Sequence, residues 1–514
     1  MRTLRLDGNG LGLAELTAVA DRSARAALSP AARRAIRASR RVVDRAIRSG
    51  ERVYGVTTGF GKFADVAIPR ERIEALQRNL IRSHAAGVGA PLPDRAVRAM
   101  MALRVNALAR GCSGIRVETV EALLAMLAAD VLPVVPEQGS VGASGDLAPL
   151  AHLALALIGE GRVRVGGREG PAASALRRAR LRPVALAAKE GLALINGVQM
   201  SVAVGGLALQ RALQLSRVAD LVGAASLDAS RGSDAAFDPR IVAARPHPGA
   251  QQSAGNLRAL LKGSAIRESH RGCGRVQDNY ALRCMPQVHG AAREAFAHAR
   301  EVLEREMNSA TDNPLVFVRR VRGSGGSGRG DIVSGGNFHG APVGLVLDYA
   351  AIAATDLASI SERRIEKLVN PALSDLPAFL VREGGLHSGL MMAQVTAAAL
   401  VSECKVLAHP ASVDSIPTSA AKEDHVSMSP IAARKLAQVV ANLERVLAIE
   451  LMTAFQAMEF LLPLRSSAPL ERVRAAFRSV VKAWDRDREL HPDLERSRAF
   501  LSSDAMAKAI RPLA

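Results

Sequence analysis

Residues 342–369 set the first limit on the fold. The run is apolar on most sides, opens with Pro342 and is stopped by Asn370-Pro371. Proline suits a first helical turn and Asn-Pro closes a helix, so the run predicts one helix, about 40 Å long at 1.5 Å per residue. The stretch 341–360 is long enough to cross a bilayer, but Asp348 and Asp356 inside it favour a buried helix of a soluble protein. A helix that is apolar all round belongs in the middle of others. Four further runs read as long helices: residues 198–227, 291–307, 394–407 and 431–462. Side by side they predict a mainly α chain built on an elongated central bundle. Aromatic residues are only 3% of the chain, so alanine, leucine and valine must fill that core, and alanine and leucine favour helix.

Residues 1–200 are broken more often by Gly, Pro and Ser, as in 55–61 and 133–145. They read as a mixed, loop-rich N-terminal region carrying functional loops, with the bundle and C-terminal helices in 201–514. The segment 322–330 is a Gly/Ser-rich surface insertion. It lacks the Lys-Ser/Thr ending of a phosphate loop.

The net charge is +19, carried mostly by arginine spread along the chain. No basic run is interleaved with aromatics, as a stacking platform for single-stranded nucleic acid requires. The charge therefore reads as a solvated surface, with no nucleic-acid or membrane partner. Cys112, Cys273, Cys284 and Cys404 form no CxxC pair, so neither a disulfide framework nor a metal site is expected and a reducing cytoplasm fits.

The run 139–150, GSVGASGDLAPL, carries the chemistry. Taken plainly it is a Gly/Ser turn before a helix capped by Asp146. Ala143-Ser144-Gly145 also permits a covalent rearrangement. In a tight bend the unhindered Gly145 nitrogen can attack the Ala143 carbonyl, and loss of water closes a five-membered imidazolone. Loss of the Ser144 hydroxyl as a second water leaves an exocyclic methylidene. Small residues at the outer positions avoid crowding the bend, and the fold must hold its strain.

Ala-Ser-Gly followed by DLAPLAH resembles the signature of the histidine and phenylalanine ammonia-lyases, whose prosthetic group is 4-methylideneimidazol-5-one (MIO). The resemblance runs through the chain in order. It includes YGVTTGFG at 54–61, EGLALING at 190–197, QDNYALRC at 277–284, NSATDNP at 308–314, SGGNFHG at 334–340 and EDHVSM at 423–428. It implies a fumarase/aspartase-like helical fold, a homotetramer with shared active sites, and MIO made from Ala143, Ser144 and Gly145 with no metal or external cofactor.

The resemblance also implies roles. Ammonia is a poor leaving group and the β-proton of an amino acid is barely acidic, so an electrophile and a base are both needed. Tyr54 is the candidate base, which requires positive charge and aligned donors to favour its phenolate. Tyr280 is the second tyrosine in the matched motifs. Arg283 would hold the substrate carboxylate in a bidentate pair. Asn196 and Gln277 would orient the substrate and the MIO oxygen as amide donors. Asp146 would assist ring closure as well as cap its helix, Phe338 would pack near the ring, and His425 reads as structural.

The substrate rests on the far end of the site. SHAAGVG at 83–89 resembles the histidine-lyase version, where phenylalanine lyases tend to carry Phe-Leu at the first two positions and tyrosine lyases His-Leu. His84 and Glu423 could then bind an imidazole, which implies elimination of ammonia from L-histidine to trans-urocanate. Ala421-Lys422 departs from the usual Asn-Gln before Glu423, and Val198, Asn279 and His387 depart elsewhere. A phenylalanine or tyrosine ammonia-lyase and an aromatic 2,3-aminomutase use the same electrophile and stay open as alternatives. The fumarase/argininosuccinase group is set aside because its GSSxMPxKxN loop is absent, and a non-catalytic basic nucleic-acid binder because the reactive residues are intact.

Overall fold

The structure, a computed structural model, describes residues 1–274, 276–319 and 329–514. Most of the Gly/Ser insertion, 322–328, lies outside the described residues. The chain divides into two compact units. The first comprises Met1–Gln210, Arg300–Asp348 and Pro410–Arg434; the second comprises Arg211–Ala299, Tyr349–His409 and Lys435–Ala514.

The helices that matter below are α1 (Ile73–His84), α2 (Asp94–Ala109), α3 (Leu147–Leu157), α4 (Gln199–Ala229), α5 (Met285–Met307), α6 (Ala341–Val369), α7 (Met391–Leu407) and α8 (Ser429–Glu459). Each of the five long runs of the sequence forms a helix, although the last stops at Glu459 where the sequence predicts 462. Helix α6 is long and apolar enough by composition to cross a membrane, and 61% of its most apolar window is buried within the protein. Helix α5 begins six residues before the 291 start expected from the sequence, because Pro286 and Gly290 read as breakers. Proline is tolerated in a first turn, where the missing N–H has no intrahelical partner anyway. Gly290 is there for close approach: a Cβ on it would lie 2.3 Å from the Ala250 nitrogen of the neighbouring helix.

In the second unit, α4, α5, α6 and α8 meet through buried ion pairs as well as apolar contacts. Arg364 on α6 pairs with Glu450 on α8, and Asp220 on α4 pairs with His289 and Arg293 on α5. Phe455, Phe477 and Phe500 pack in sequence at centroid distances of 5.5 and 5.3 Å, concentrating scarce aromatics in one place.

All strands among the described residues fall in the first unit. Strands β1 (Val88–Pro91) and β2 (Pro136–Gln138) pair antiparallel, Val88 opposite Gln138. This pairing sets the end of α1, with His84, beside the chain that leads into Ala143-Ser144-Gly145. The Gly87 N–H donates to His152 Nε2 on α3 at 3.1 Å and fastens the two segments again.

Candidate active site

The bend at 141–146 is clamped from both sides. Ser140 Oγ accepts from the Gly142 N–H and donates to the Gly145 carbonyl, each at 3.2 Å. Met428 N–H donates to the Val141 carbonyl at 2.9 Å, and Ser427 Oγ to the Gly142 carbonyl at 3.0 Å. Asp146 N–H donates to the Gly197 carbonyl at 2.7 Å. Gly145 has φ +76°, and a Cβ there would sit 2.3 Å from the Gly197 carbonyl oxygen, so only glycine fits. A tight, glycine-dependent bend with Ser144 at its tip suits MIO formation from these three residues.

Asp146 occupies the N-cap position of α3 but does not cap it with its side chain. Its carboxylate turns inward and accepts from the Ser201 N–H and Ser201 Oγ, both at 2.8 Å. Burial pushes its carboxyl up to about 6, against the pull of those bonds. Glu306, whose charge reaches Asp146, is pushed up to about 7 by burial first.

Ala143 and Ser144 open into a cavity of about 800 Å³, also lined by Tyr54, His84, Asn196, Phe338 and Glu423. These expected site residues come from stretches spread over 370 positions of the chain and meet within the first unit. Tyr54 faces Phe60 edge-on at 6.5 Å, and its hydroxyl accepts from the Gly61 N–H at 3.4 Å. Gln277, Tyr280 and Arg283 belong to the second unit and are not among the cavity's lining residues. Tyr280 is 70% exposed, and the Arg283 guanidinium lies 4.6 Å over its ring.

Asn196 faces the opposite way from a donor. Its Nδ2 donates to Asp312 Oδ1 at 3.4 Å and to the Asn313 carbonyl at 3.1 Å. Its buried Oδ1 has no hydrogen-bond partner among the described residues. An amide flip would set that oxygen against a carboxylate, so the orientation is fixed by charge. Behind it, Lys189 Nζ pairs with Asp312 Oδ2 at 2.8 Å. Arg104 on α2, fully buried, donates to the Asn196 carbonyl at 2.7 Å and to Gln199 Oε1 at 2.8 Å.

At the far end, His84 Nδ1 lies 2.9 Å from the Leu80 carbonyl. A carbonyl can only accept, so Nδ1 carries the proton and Nε2 is a bare acceptor. Burial pushes this imidazole down, which keeps it neutral near pH 7. Glu423 Oε1 accepts from Ser144 Oγ at 2.8 Å, and Oε2 accepts from Thr418 Oγ1 and Ser419 Oγ at 2.7 Å each. Burial pushes the Glu423 carboxyl up, but the Ser419, Thr418 and Ser144 bonds outweigh it and leave it below the usual range. The carboxylate bonds of Glu423 thus go to hydroxyls rather than to Lys422, which lines the cavity as an exposed residue.

The turn that presents Glu423 is unusual. Ser419, Ala420 and Ala421 are all left-handed, at φ 51°, 55° and 59°. Such a conformation costs L-residues roughly 1–2 kcal/mol each. It is held by the Thr418–Glu423 backbone pair, whose N–H···O distances are 2.8 and 3.4 Å. His425 also lines the cavity, its ring stacked on that of His339 at 5.8 Å, so it is a wall of the site and not only a structural residue. Lys62, Asn313 and His339 line it too. All three fall in or beside the quoted motifs, but nothing in their spacing set them apart.

The sequence profile of the aromatic amino acid lyases matches residues 11–479. The chain belongs to that family. Within it, a histidine ammonia-lyase from Anaeromyxobacter sp. is 57% identical over 96% of this chain and 97% of its own length. The crystal structure of histidine ammonia-lyase from Trypanosoma cruzi superposes with a TM-score of 0.91 at 46% identity, covering 100% of this chain and 96% of that one. Tyrosine aminomutase from Streptomyces globisporus matches equally well in fold, with a TM-score of 0.91, at 36% identity over 99% of each chain. Proteins named histidine ammonia-lyase and tyrosine aminomutase therefore share this fold.

Proposed function

We propose that this aromatic amino acid lyase eliminates ammonia from L-histidine to give trans-urocanate, with MIO formed from Ala143, Ser144 and Gly145. The observation that carries the proposal is the bend with Ser144 at its tip in one cavity with Glu423 and the bare Nε2 of His84. The relatives named histidine ammonia-lyase support the same reading. When formed, MIO supplies an electrophilic methylidene where the chain's own side chains offer only nucleophiles, acids and bases.

The surrounding residues bind and orient. Glu423 and His84 each present an acceptor, so the single N–H of a neutral imidazole is matched by one of them and a protonated imidazole by both. Once the Ser144 hydroxyl has gone, a phenyl ring would leave Glu423 Oε1 without a donor, at about 1–3 kcal/mol. Asn196 Oδ1, the orphaned acceptor, suits the substrate's α-ammonium group. Tyr54 is the candidate for the β-proton, and Phe338 walls the bend.

Arg283, Gln277 and Tyr280 are the candidates for carboxylate binding and orientation. Because they do not line their own chain's cavity, we assign them to the cavity of another subunit in a homotetramer. Mixing Tyr54→Phe with Arg283→Ala chains should then restore part of the activity lost by each. A fully active monomer by sedimentation would refute the assignment. A cytoplasmic location rests on the cysteine pattern alone.

The deciding experiment is kcat/KM for histidine, tyrosine and phenylalanine, with product analysis. Histidine should lead phenylalanine by at least about tenfold, which is about 1.4 kcal/mol. Preference for tyrosine or phenylalanine, or a β-amino acid product, would overturn the substrate while leaving the family unchanged.

A further inference from the structure

Glu423 is tied to Ser144 more closely than substrate binding alone requires. Its Oε2 is anchored by Thr418 and Ser419, and the left-handed turn 419–421 fixes where the side chain starts. What remains is Oε1, and it is aimed at the Ser144 hydroxyl at 2.8 Å. That hydroxyl is the group lost in the second of the two dehydrations that make the electrophile. The acceptor and its donor therefore exist together only in the unprocessed chain.

We propose that Glu423 is a positioning residue for maturation: it holds the Ser144 hydroxyl for elimination and is released by that elimination to receive the substrate ring. The first condensation joins the Gly145 nitrogen to the Ala143 carbonyl carbon. The protons of the Gly145 and Ser144 nitrogens leave with the carbonyl oxygen as water. In the second step the Ser144 Cα–H bond breaks and its electron pair forms the Cα–Cβ double bond. The Cβ–Oγ bond breaks toward oxygen, and the Cα proton leaves with that oxygen as water. No oxidant or reductant is needed. Glu423 gains and loses no proton overall.

Its part is directional. A serine side chain has three staggered rotamers, and a single strong acceptor selects one of them. When the hydroxyl departs, Oε1 loses its only donor among the described residues, while Oε2 keeps Thr418 and Ser419. A fixed carboxylate with one vacant acceptor then faces the new methylidene. Binding of a ring N–H at Glu423 is thereby coupled to completion of the electrophile. This last point rests on the histidine reading; the maturation role does not.

The test is intact mass of newly made chains sampled over time, which needs no activity. Wild type should become lighter by two waters. Glu423→Ala should accumulate chains lighter by one water, with the second loss slowed about tenfold, as for one lost hydrogen bond to a charged group. Glu423→Gln, whose amide oxygen still accepts, should restore the second loss. Glu423→Ala chains that lose both waters at the wild-type rate overturn the proposal. So do chains held at full mass, since they assign Glu423 to the bend itself. If Glu423→Ala is insoluble, Thr418→Val/Ser419→Ala takes its place: it loosens the carboxylate without removing it. Slowed second dehydration there supports the proposal, and unchanged mass kinetics overturn it. A wild-type chain that never becomes lighter would instead sink the MIO reading, a separate failure.

Discussion

The two units each bury a polar cluster, and the two clusters are finished differently. In the second unit, Glu450 accepts from Ser226 and Arg364 on one oxygen and from Ser361 and Arg364 on the other. Asp220 is likewise filled by Ser253, His289, Asn256 and Arg293. Burial would push the Asp220 carboxyl up, but the His289 bond and the Arg293 charge outweigh it and hold it low. In the first unit, the Asn196 amide oxygen and two Arg104 nitrogens are buried without partners among the described residues, and the Asp146 carboxyl is pushed up to about 6. Both carboxylates of the second cluster are filled by the protein, and only Arg293 Nε in it lacks a partner among the described residues. The first leaves an unused acceptor, Asn196 Oδ1, on a residue that lines the cavity, where a substrate can take it up.

The sharpest way to break this contrast is to cut one residue from each cluster. Glu450→Leu strands the fully buried Arg364 and should cost about 3–5 kcal/mol of stability, read as a lower denaturation midpoint. Asn196→Ala should shift that midpoint much less and instead lower kcat/KM by about ten- to a hundredfold, as for one lost hydrogen bond to a charged group. Equal stability losses would erase the distinction between the two clusters.

A second, smaller effect follows from pH. Asp146 is raised above its unfolded value, so the folded chain holds that proton more tightly. Its stabilising contribution is complete in acid and is lost as pH rises through about 6; a shift from 3.8 to about 6 corresponds to about 3 kcal/mol. Glu306, raised to about 7, acts with the same sign in an overlapping window. The denaturation midpoint should fall between about pH 4 and 7 and level off above, and Asp146→Asn/Glu306→Gln should flatten that fall. A wild-type midpoint that rises over this range would contradict the assignment of both groups.

The smallest expected effect concerns the turn before Glu423. Ala421 sits at φ 59°, where asparagine is tolerated better than alanine. Ala421→Asn should raise the denaturation midpoint by the equivalent of about 1 kcal/mol. A lower midpoint would mean that the left-handed turn is not the source of strain there.

Much of the helical frame could be read from the chain, because runs of apolar residues bounded by Pro and Asn state their own length. The start of α5 could not, since Gly290 serves a neighbouring helix that the local sequence does not announce. The meeting of Tyr54, His84, Ser144, Asn196 and Glu423 followed from the family motifs, but their postures did not. Asn196 is turned by Asp312, 116 positions away, and Asp146 prefers Ser201 to its own helix. The left-handed turn at 419–421 contains no glycine or asparagine, so composition carried no sign of it.

Asp312 has a consequence for how such a chain can change over generations. One carboxylate neutralises Lys189 and sets the direction of Asn196, while Arg104 braces the Asn196 backbone from behind. A substitution that removes the carboxylate strands a buried lysine and frees the active-site amide to rotate in the same event. Substitutions at positions 104, 189, 196 and 312 are therefore energetically coupled, and the effect of changing one depends on what stands at the others.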